Sequence, residues 1–263
     1  MTAPFLDGKI QYRVSGQGPC IVFLHGFLES ARIWRAFAYK LSSRFKVIRI
    51  NLPGHGGSSV FKKPHTMELM AQAVHAVLEQ EKVDQMLLVG HSMGGYVSLA
   101  FAEKWPGMLN GLILFSSFSF PDSPERKIER DRAIQAAEAH KMKYVSSVVP
   151  NLFFERNGNK AAKKIYKLVR LASNQPKEGI VAAIKGMKAR RDRMDVLQNV
   201  RYPVLFITGT HDPLIPLKKV EEMQQNTPGS TIHVLNDCGH LGFIEKRKES
   251  MRVVKNFALE KIL

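Results

Sequence analysis

The chain has 263 residues, enough for one or two domains, and its 44% hydrophobic content excludes a disordered chain because that much apolar surface repays the entropy of folding. Two cysteines exclude a disulfide-stapled scaffold, and no apolar run reaches the ~18 residues of a membrane span. Met1 to Gly18 lacks the basic-then-apolar pattern of a secretory leader, so a cytoplasmic protein without stable membrane association is expected, while a formal net charge of +16 leaves nucleic acid as a partner to be weighed.

Glycine and proline punctuate the rest into a rhythm. Phe5 to Val14 reads as an edge strand or hairpin. Cys20-Ile21-Val22-Phe23-Leu24 is short, continuously apolar and stopped by His25-Gly26, the pattern of a buried parallel strand. Ser30 to Ser43 has helical spacing, Phe45 to Ile50 is again a strand, and Thr66 to Gln80 is a helix with Thr66 as N-cap. Met86 to Val89 is a strand, Met93 to Lys104 a helix ended before Pro106, and Leu109 to Phe115 a buried strand. Residues 121–201 then read as helices alone: Pro124 to Met142, a short piece near Val145 to Phe154, Lys160 to Ala172, and Lys177 to Ala189. Strand rhythm resumes at Val204 to Thr208, followed by a helix over Lys218 to Gln225, a strand over Thr231 to Leu235, and a last helix near Ile244 to Leu259. Alternating strands and helices predict a parallel sheet covered on both faces, so the helical block reads as a lid, residues 121–198, inserted into a core of residues 1–120 and 199–263.

Chemistry concentrates at strand ends. Gly90-His91-Ser92-Met93-Gly94-Gly95 follows a strand and opens a helix, the setting in which G-x-S-x-G forms a nucleophile elbow. The sharp turn strains Ser92, the glycines remove clashing Cβ atoms, and the helix N-terminus aims amides at developing negative charge. A serine hydroxyl needs a base. Of nine histidines, His240 lies between the last strand and the last helix, at the same sheet edge as Ser92. His91 abuts the nucleophile on a tight turn that points the two side chains apart, His25 suits bracing of the first loop, and His55, His65 and His75 read as loop or helix-surface residues. Asp212, in Gly209-Thr210-His211-Asp212-Pro213, follows the penultimate strand, and the order Ser92, Asp212, His240 matches a Ser-Asp-His triad. After Leu109 to Phe115 no acid occurs before Asp122, and Asp237 reads as a turn former. The amides of Phe27 and Met93 are the expected oxyanion donors.

With these motifs in place, the chain resembles the α/β-hydrolase superfamily along nearly its whole length, in particular small lidded serine esterases, enol-lactonases, C–C bond hydrolases and cofactor-free perhydrolases. The resemblance rests on His25-Gly26-Phe27, Leu52-Pro53-Gly54-His55-Gly56-Gly57-Ser58, Gly90 to Gly95, Gly209 to Pro216, Gly239-His240, and the segment Ala189 to Leu197 that returns from the lid. It implies a mostly parallel sheet of about eight strands with helices on both faces, and no cofactor. One departure is Asn51, where the family usually has an acid opening the Pro-Gly-His-Gly loop, a change that touches loop hydrogen bonding and not the nucleophile. A serine at the elbow argues against the dehalogenase and epoxide-hydrolase branches.

Hydrolysis of a small carboxylic ester through an acyl-enzyme is therefore expected. A C–C hydrolase, lyase or perhydrolase with the same triad, and a receptor-like binding protein on the same fold, are the alternatives. The expected pocket rim is Phe27, Leu28, Met93, Phe118, Leu214 and Leu241, with Phe153 and Phe154 from the lid, which suits an uncharged acyl chain or aromatic ester; basic lid residues suit a carboxylate instead. No zinc spacing and no phosphate loop occur, and the two cysteines are expected to stay reduced at opposite sheet edges. The charge lies mainly in the lid, where residues 121–201 hold 19 basic and 9 acidic side chains. It is not interleaved with aromatics as a base-stacking surface would be, so it reads as a solvated face that steers acidic substrates, and nucleic acid is not the expected partner.

Overall fold

The computed structural model describes residues 1–154 and 159–262. Eight strands form one sheet: β1 (Thr2–Phe5), β2 (Gly8–Ser15), β3 (Cys20–Leu24), β4 (Lys46–Ile50), β5 (Met86–His91), β6 (Leu109–Phe115), β7 (Val204–Gly209) and β8 (Thr231–Leu235), in the order β1-β2-β4-β3-β5-β6-β7-β8. The pairs β1/β2 and β2/β4 are antiparallel and all others parallel. The β1–β2 hairpin at one edge is the predicted one. Strands β3, β5 and β7 are buried at every position, which is why they read as unbroken apolar runs, whereas the edge strand β8 is only half-buried.

The helices are α1 (Arg35–Leu41), α2 (Met67–Gln80), α3 (Met93–Lys104), α4 (Pro124–Val148), α5 (Asn159–Ser173), α6 (Lys177–Lys188), α7 (Met194–Gln198), α8 (Leu217–Gln225), α9 (Gly242–Glu245) and α10 (Arg247–Lys261). Thr66 caps α2 as predicted, its hydroxyl accepting the Leu69 amide at 3.2 Å. Between β6 and β7 the chain departs from expectation. Helix α4 runs to Val148, past the expected end at Met142, with one non-helical residue, His140, breaking it near that expected end; the short piece placed near Val145 to Phe154 is a separate 3-10 turn over Val149–Leu152. The return segment contains the short helix α7. The last predicted helix is two, divided at Lys246, whose non-helical backbone (φ −115°, ψ 45°) interrupts the turn pattern.

The β3 to β4 connection moves to one side of β3 and the return to β5 places that strand on its other side. Such a switch point opens a crevice at the carboxyl ends of the strands, where open α/β sheets bind ligands. Register brings those ends level, with Leu24 opposite both Ile50 and Gly90, Gly90 opposite Leu114, and Gly209 opposite Leu235. Trp34 plugs the core just beneath, its indole N–H donating to the Leu24 carbonyl at 3.2 Å. Both cysteines are free and buried. Among the described residues no helix is long and apolar enough to cross a membrane.

Candidate active site

Four loops leave the level carboxyl edge and carry Phe27, Ser92, Asp212 and His240. Ser92 sits between β5 and α3 with φ of 50° and ψ of −117°, a left-handed backbone that a side chain rarely adopts. The turn closes only because neighbours lack Cβ atoms. One on Gly94 would lie 2.7 Å from the His25 carbonyl oxygen, and one on Gly90 would strike the Ser98 hydroxyl and lie 2.5 Å from the Gly94 carbonyl oxygen. Leu28, next to the expected oxyanion residue, is also held at a positive φ of 64°.

Asp212 and His240 meet as the sequence predicts. His240 Nδ1 donates to Asp212 Oδ2 at 2.8 Å and lies 2.9 Å from Oδ1, both side chains being almost wholly buried. The Leu214 and Ile215 amides add donors to Oδ1 at 2.9 and 3.0 Å. Burial alone would raise the Asp212 pKa, but His240 and these amides hold it below the usual carboxylate range. The proton on Nδ1 leaves Nε2 as the lone-pair nitrogen, and His240 and Ser92 line the same cavity of about 360 Å³. Met93, first residue of α3, has no intrahelical acceptor for its amide, and the Phe27 amide makes no hydrogen bond to another described residue.

Behind this front lies a layer that the sequence reading missed. Glu29 and His91 are almost fully buried and 3.1 Å apart, and Glu29 Oε2 also accepts the Gly26 amide at 2.6 Å. His91 Nε2 reaches the His240 carbonyl at 3.0 Å. A carbonyl only accepts, so Nε2 donates, and the Glu29 carboxylate beside Nδ1 favours a second proton there, an imidazolium held between Glu29 and His240. Burial lowers its pKa, but the Glu29 charge and hydrogen bond prevail and raise it. The His91 side chain makes its hydrogen bonds to Glu29 and to the His240 carbonyl, and so fixes the backbone of His240. His25 braces the first loop: Nδ1 donates to the Gly26 carbonyl at 2.8 Å and Nε2 accepts the Leu52 amide at 3.0 Å. Burial pushes its pKa well down.

Several expectations are corrected. His55 and His65 are loop residues, one of the two placements expected, but both are fully buried because their loop is clamped beneath α6; the His65 amide donates to the Ala182 carbonyl at 3.0 Å. Asn51 loses nothing to an acid, since Oδ1 accepts the Ala31 amide and Nδ2 donates to Gln11, both at 2.7 Å. Phe27, Leu28 and Leu214 line the cavity with Ser92, and Phe118 lines an adjoining one of about 530 Å³ that shares Phe27, Ser92 and Leu214. Leu241 lines neither; as the residue before α9 it turns into the core and is completely buried. Phe153 is buried behind the wall, and Phe154 stacks on His211 with centroids 4.1 Å apart. The charge of residues 121–201 is not all solvated. Arg190 and Arg193 are buried on acids: Arg190 pairs with Asp122, and Arg193 bonds Glu103 at 3.0 Å and pairs with Glu68, tying the return segment to α3 and α2. Asp122, the one rival acid beyond β6, is occupied by Arg130 and Arg190. No group of three or more His, Cys, Asp or Glu among the described residues is placed to hold a metal ion.

A family model described as alpha/beta hydrolase fold matches residues 19–247. A thermophilic esterase from Thermogutta terrifontis, solved with malate bound, superimposes with a TM-score of 0.93 at 30% identity, covering 97% of this chain and 95% of that one. A pimeloyl-[acyl-carrier protein] methyl ester esterase from Vibrio campbellii is 27% identical over 263 residues, 96% of this chain and 100% of its own. A 2-hydroxy-6-oxononadienedioate/2-hydroxy-6-oxononatrienedioate hydrolase from Escherichia coli is 25% identical over 95% of this chain and 90% of its own.

Proposed function

The chain belongs to the alpha/beta hydrolase fold family, and from that premise we propose that it is a serine hydrolase cleaving a small carboxylic ester through an acyl-enzyme. One observation carries the reading. A serine on a strained elbow and the free nitrogen side of a carboxylate-paired histidine line one cavity, at the edge where the fold opens.

Ser92 Oγ attacks the ester carbonyl carbon while its proton passes to His240 Nε2. Asp212 keeps the imidazole proton on Nδ1 and balances the imidazolium as it forms. The Phe27 and Met93 amides donate to the carbonyl oxygen as it becomes an oxyanion. Collapse expels the alcohol, which takes the proton from His240. Water then attacks the acyl-enzyme, gives its proton to His240, and the acid leaves as Ser92 regains its hydrogen. Glu29 and His91 are positioning residues here, since they hold the Gly26 amide and the His240 carbonyl and touch no reacting atom. We read residues 121–198 as the cap that closes the cavity from above the core of residues 1–120 and 199–263.

The test is hydrolysis of 4-nitrophenyl butyrate with labelling by a fluorophosphonate probe. Wild type should turn over and label, and Ser92→Ala should do neither. Full activity in Ser92→Ala refutes the assignment. The Escherichia coli relative favours C–C cleavage as a second reading, which a panel containing a 2-hydroxy-6-oxo dienoate separates from ester hydrolysis.

A further inference from the structure

The lid side of the cavity carries a charge imbalance that ester hydrolysis does not use. Asp122, its side chain almost wholly buried, accepts from Arg130 Nε at 3.1 Å and from Arg190 NH1 at 2.6 Å. Two guanidinium groups thus share one carboxylate, an excess of one positive charge. The other ionised groups near this wall cancel in pairs, Arg126 with Glu129 at 2.5 Å and Lys219 with Glu222 at 2.7 Å. The two arginines on Asp122 are not equivalent. Arg190 is a buried post: Nε donates to the Phe120 carbonyl at 3.2 Å, NH1 also donates to the Met187 carbonyl at 3.0 Å, and the guanidinium lies 4.3 Å from the centre of the Tyr96 ring. Arg130 spends only Nε on Asp122. Its terminal nitrogens make no hydrogen bond to a described residue, and it lines both chambers that Ser92 lines.

We propose that Arg130 is a specificity-determining residue that receives a carboxylate on the far end of the ester substrate. The inference rests on the serine hydrolase reading and names its substrate class: an ester with one arm ending in a carboxylate, such as the half-ester of a dicarboxylic acid. A guanidinium clamped through Nε presents its remaining N–H groups as a fixed fork, and that fork matches the two oxygens of a carboxylate. Its orientation is set before substrate arrives, by Asp122 and through it by Arg190, so little side-chain entropy is lost on binding. A singly charged carboxylate neutralises the excess of one, whereas a doubly charged phosphate overshoots it.

The test compares mono-4-nitrophenyl esters of succinate, glutarate and adipate with the neutral butyrate, valerate and hexanoate esters, in wild type, Arg130→Gln and Arg130→Lys. Arg130→Gln should lower kcat/KM about 30- to 100-fold for the best half-ester, in the range seen when one partner of a desolvated charge pair is removed, and change the neutral esters less than about threefold. Arg130→Lys should recover part of the loss, restoring charge without the fork. Glutarate should inhibit wild type competitively and Arg130→Gln much less. Equal losses on charged and neutral esters, or inhibition by phosphate stronger than by glutarate, overturn the proposal. If wild type hydrolyses no ester at all, the hydrolase reading fails separately, and glutarate binding by calorimetry decides the subsite: binding lost in Arg130→Gln supports it, and no binding to wild type refutes it. Should Arg130→Gln not fold, Arg130→Lys carries the same comparison.

Discussion

Replacing Asp212 by Asn isolates what the buried carboxylate does. The two side chains are nearly isosteric, and Asn Oδ1 can keep both the Leu214 and Ile215 amides that Asp212 Oδ1 accepts. The loop therefore keeps its shape. What changes is the group facing His240 Nδ1, now an amide N–H₂ that can only donate. The imidazole must then turn Nδ1 into an acceptor and carry its proton on Nε2, which can no longer take the proton of Ser92. The imidazolium of the transition state also loses its counter-charge. At the observed separation of 2.8 Å, the Coulomb attraction with an effective dielectric of about 20 is about 6 kcal/mol, or about four decades in rate. Both groups are almost fully buried, so solvent does little to soften the loss. Steady-state hydrolysis of 4-nitrophenyl butyrate at pH 7–8 should show kcat reduced about 10³- to 10⁴-fold with KM nearly unchanged, since the interaction operates in the transition state. A thermal melt close to wild type would show that the fold persists. A reduction in kcat below tenfold, in a folded variant, refutes the role given to Asp212.

Three further outcomes follow from the strained and buried groups. Ser92→Gly should abolish activity yet raise Tm by about 2–4 °C, because relief of about 1–3 kcal/mol of backbone strain at φ of 50° exceeds the entropic cost of glycine, whereas Ser92→Ala keeps the strain and should leave Tm unchanged. Glu29→Ala strands the His91 imidazolium and the Gly26 amide without an acceptor; urea unfolding should register a loss of about 3–5 kcal/mol, and a change below about 1 kcal/mol would refute the buried ion pair. Burial lowers the His55 pKa to about 4, and its buried Nε2 has no hydrogen-bond partner among the described residues, so the folded state binds fewer protons than the unfolded one. The stability this gives is complete above the ordinary value of 6.5 and is lost as pH falls toward 4, about 3 kcal/mol in all; His55→Gln should flatten that part of a stability-against-pH curve, and an unaltered curve would refute the assignment.

The sheet and the placing of Ser92, Asp212 and His240 at one sheet edge were legible in the sequence because each is dictated locally. An unbroken apolar run such as Cys20 to Leu24 is what a strand buried on both faces must be. The glycines around Ser92 answer to close approaches with near neighbours, Gly90 against Gly94 and Gly94 against the end of β3. Asp212 and His240 announce themselves by following strands whose ends the parallel register makes level. Burial and helix boundaries are less legible. His55 is a loop residue with nothing local to bury it, and α6, more than a hundred positions on, covers its loop. Leu241 looks like a rim residue because it adjoins His240, but the start of α9 rotates it into the core. The break at His140 lies near the expected helix end at Met142, but the chain resumes the same helix to Val148 before the separate turn at Val149–Leu152, a continuation that the hydrophobic spacing does not mark.

The same division separates catalysis from substrate choice. The groups proposed for chemistry stand at strand ends, where the parallel register brings them to one edge. Those that would select a substrate stand on α4 and the return segment, and Asp122 and Arg190 meet across 68 positions of chain, a pairing no local pattern encodes. The two layers are nevertheless bonded to each other. The Leu152 carbonyl accepts the amide of His240 at 2.9 Å, and Gln175 Nε2 donates to the Glu29 carbonyl at 3.0 Å while Gln175 Oε1 accepts the Gly56 amide at 2.7 Å. His240 is therefore pinned at its N–H by Leu152 and at its carbonyl by His91. On the proposed mechanism, a shift of the segment carrying Leu152 would bear directly on the backbone of the proposed base, so the part proposed to select the substrate would also set where the proton is taken.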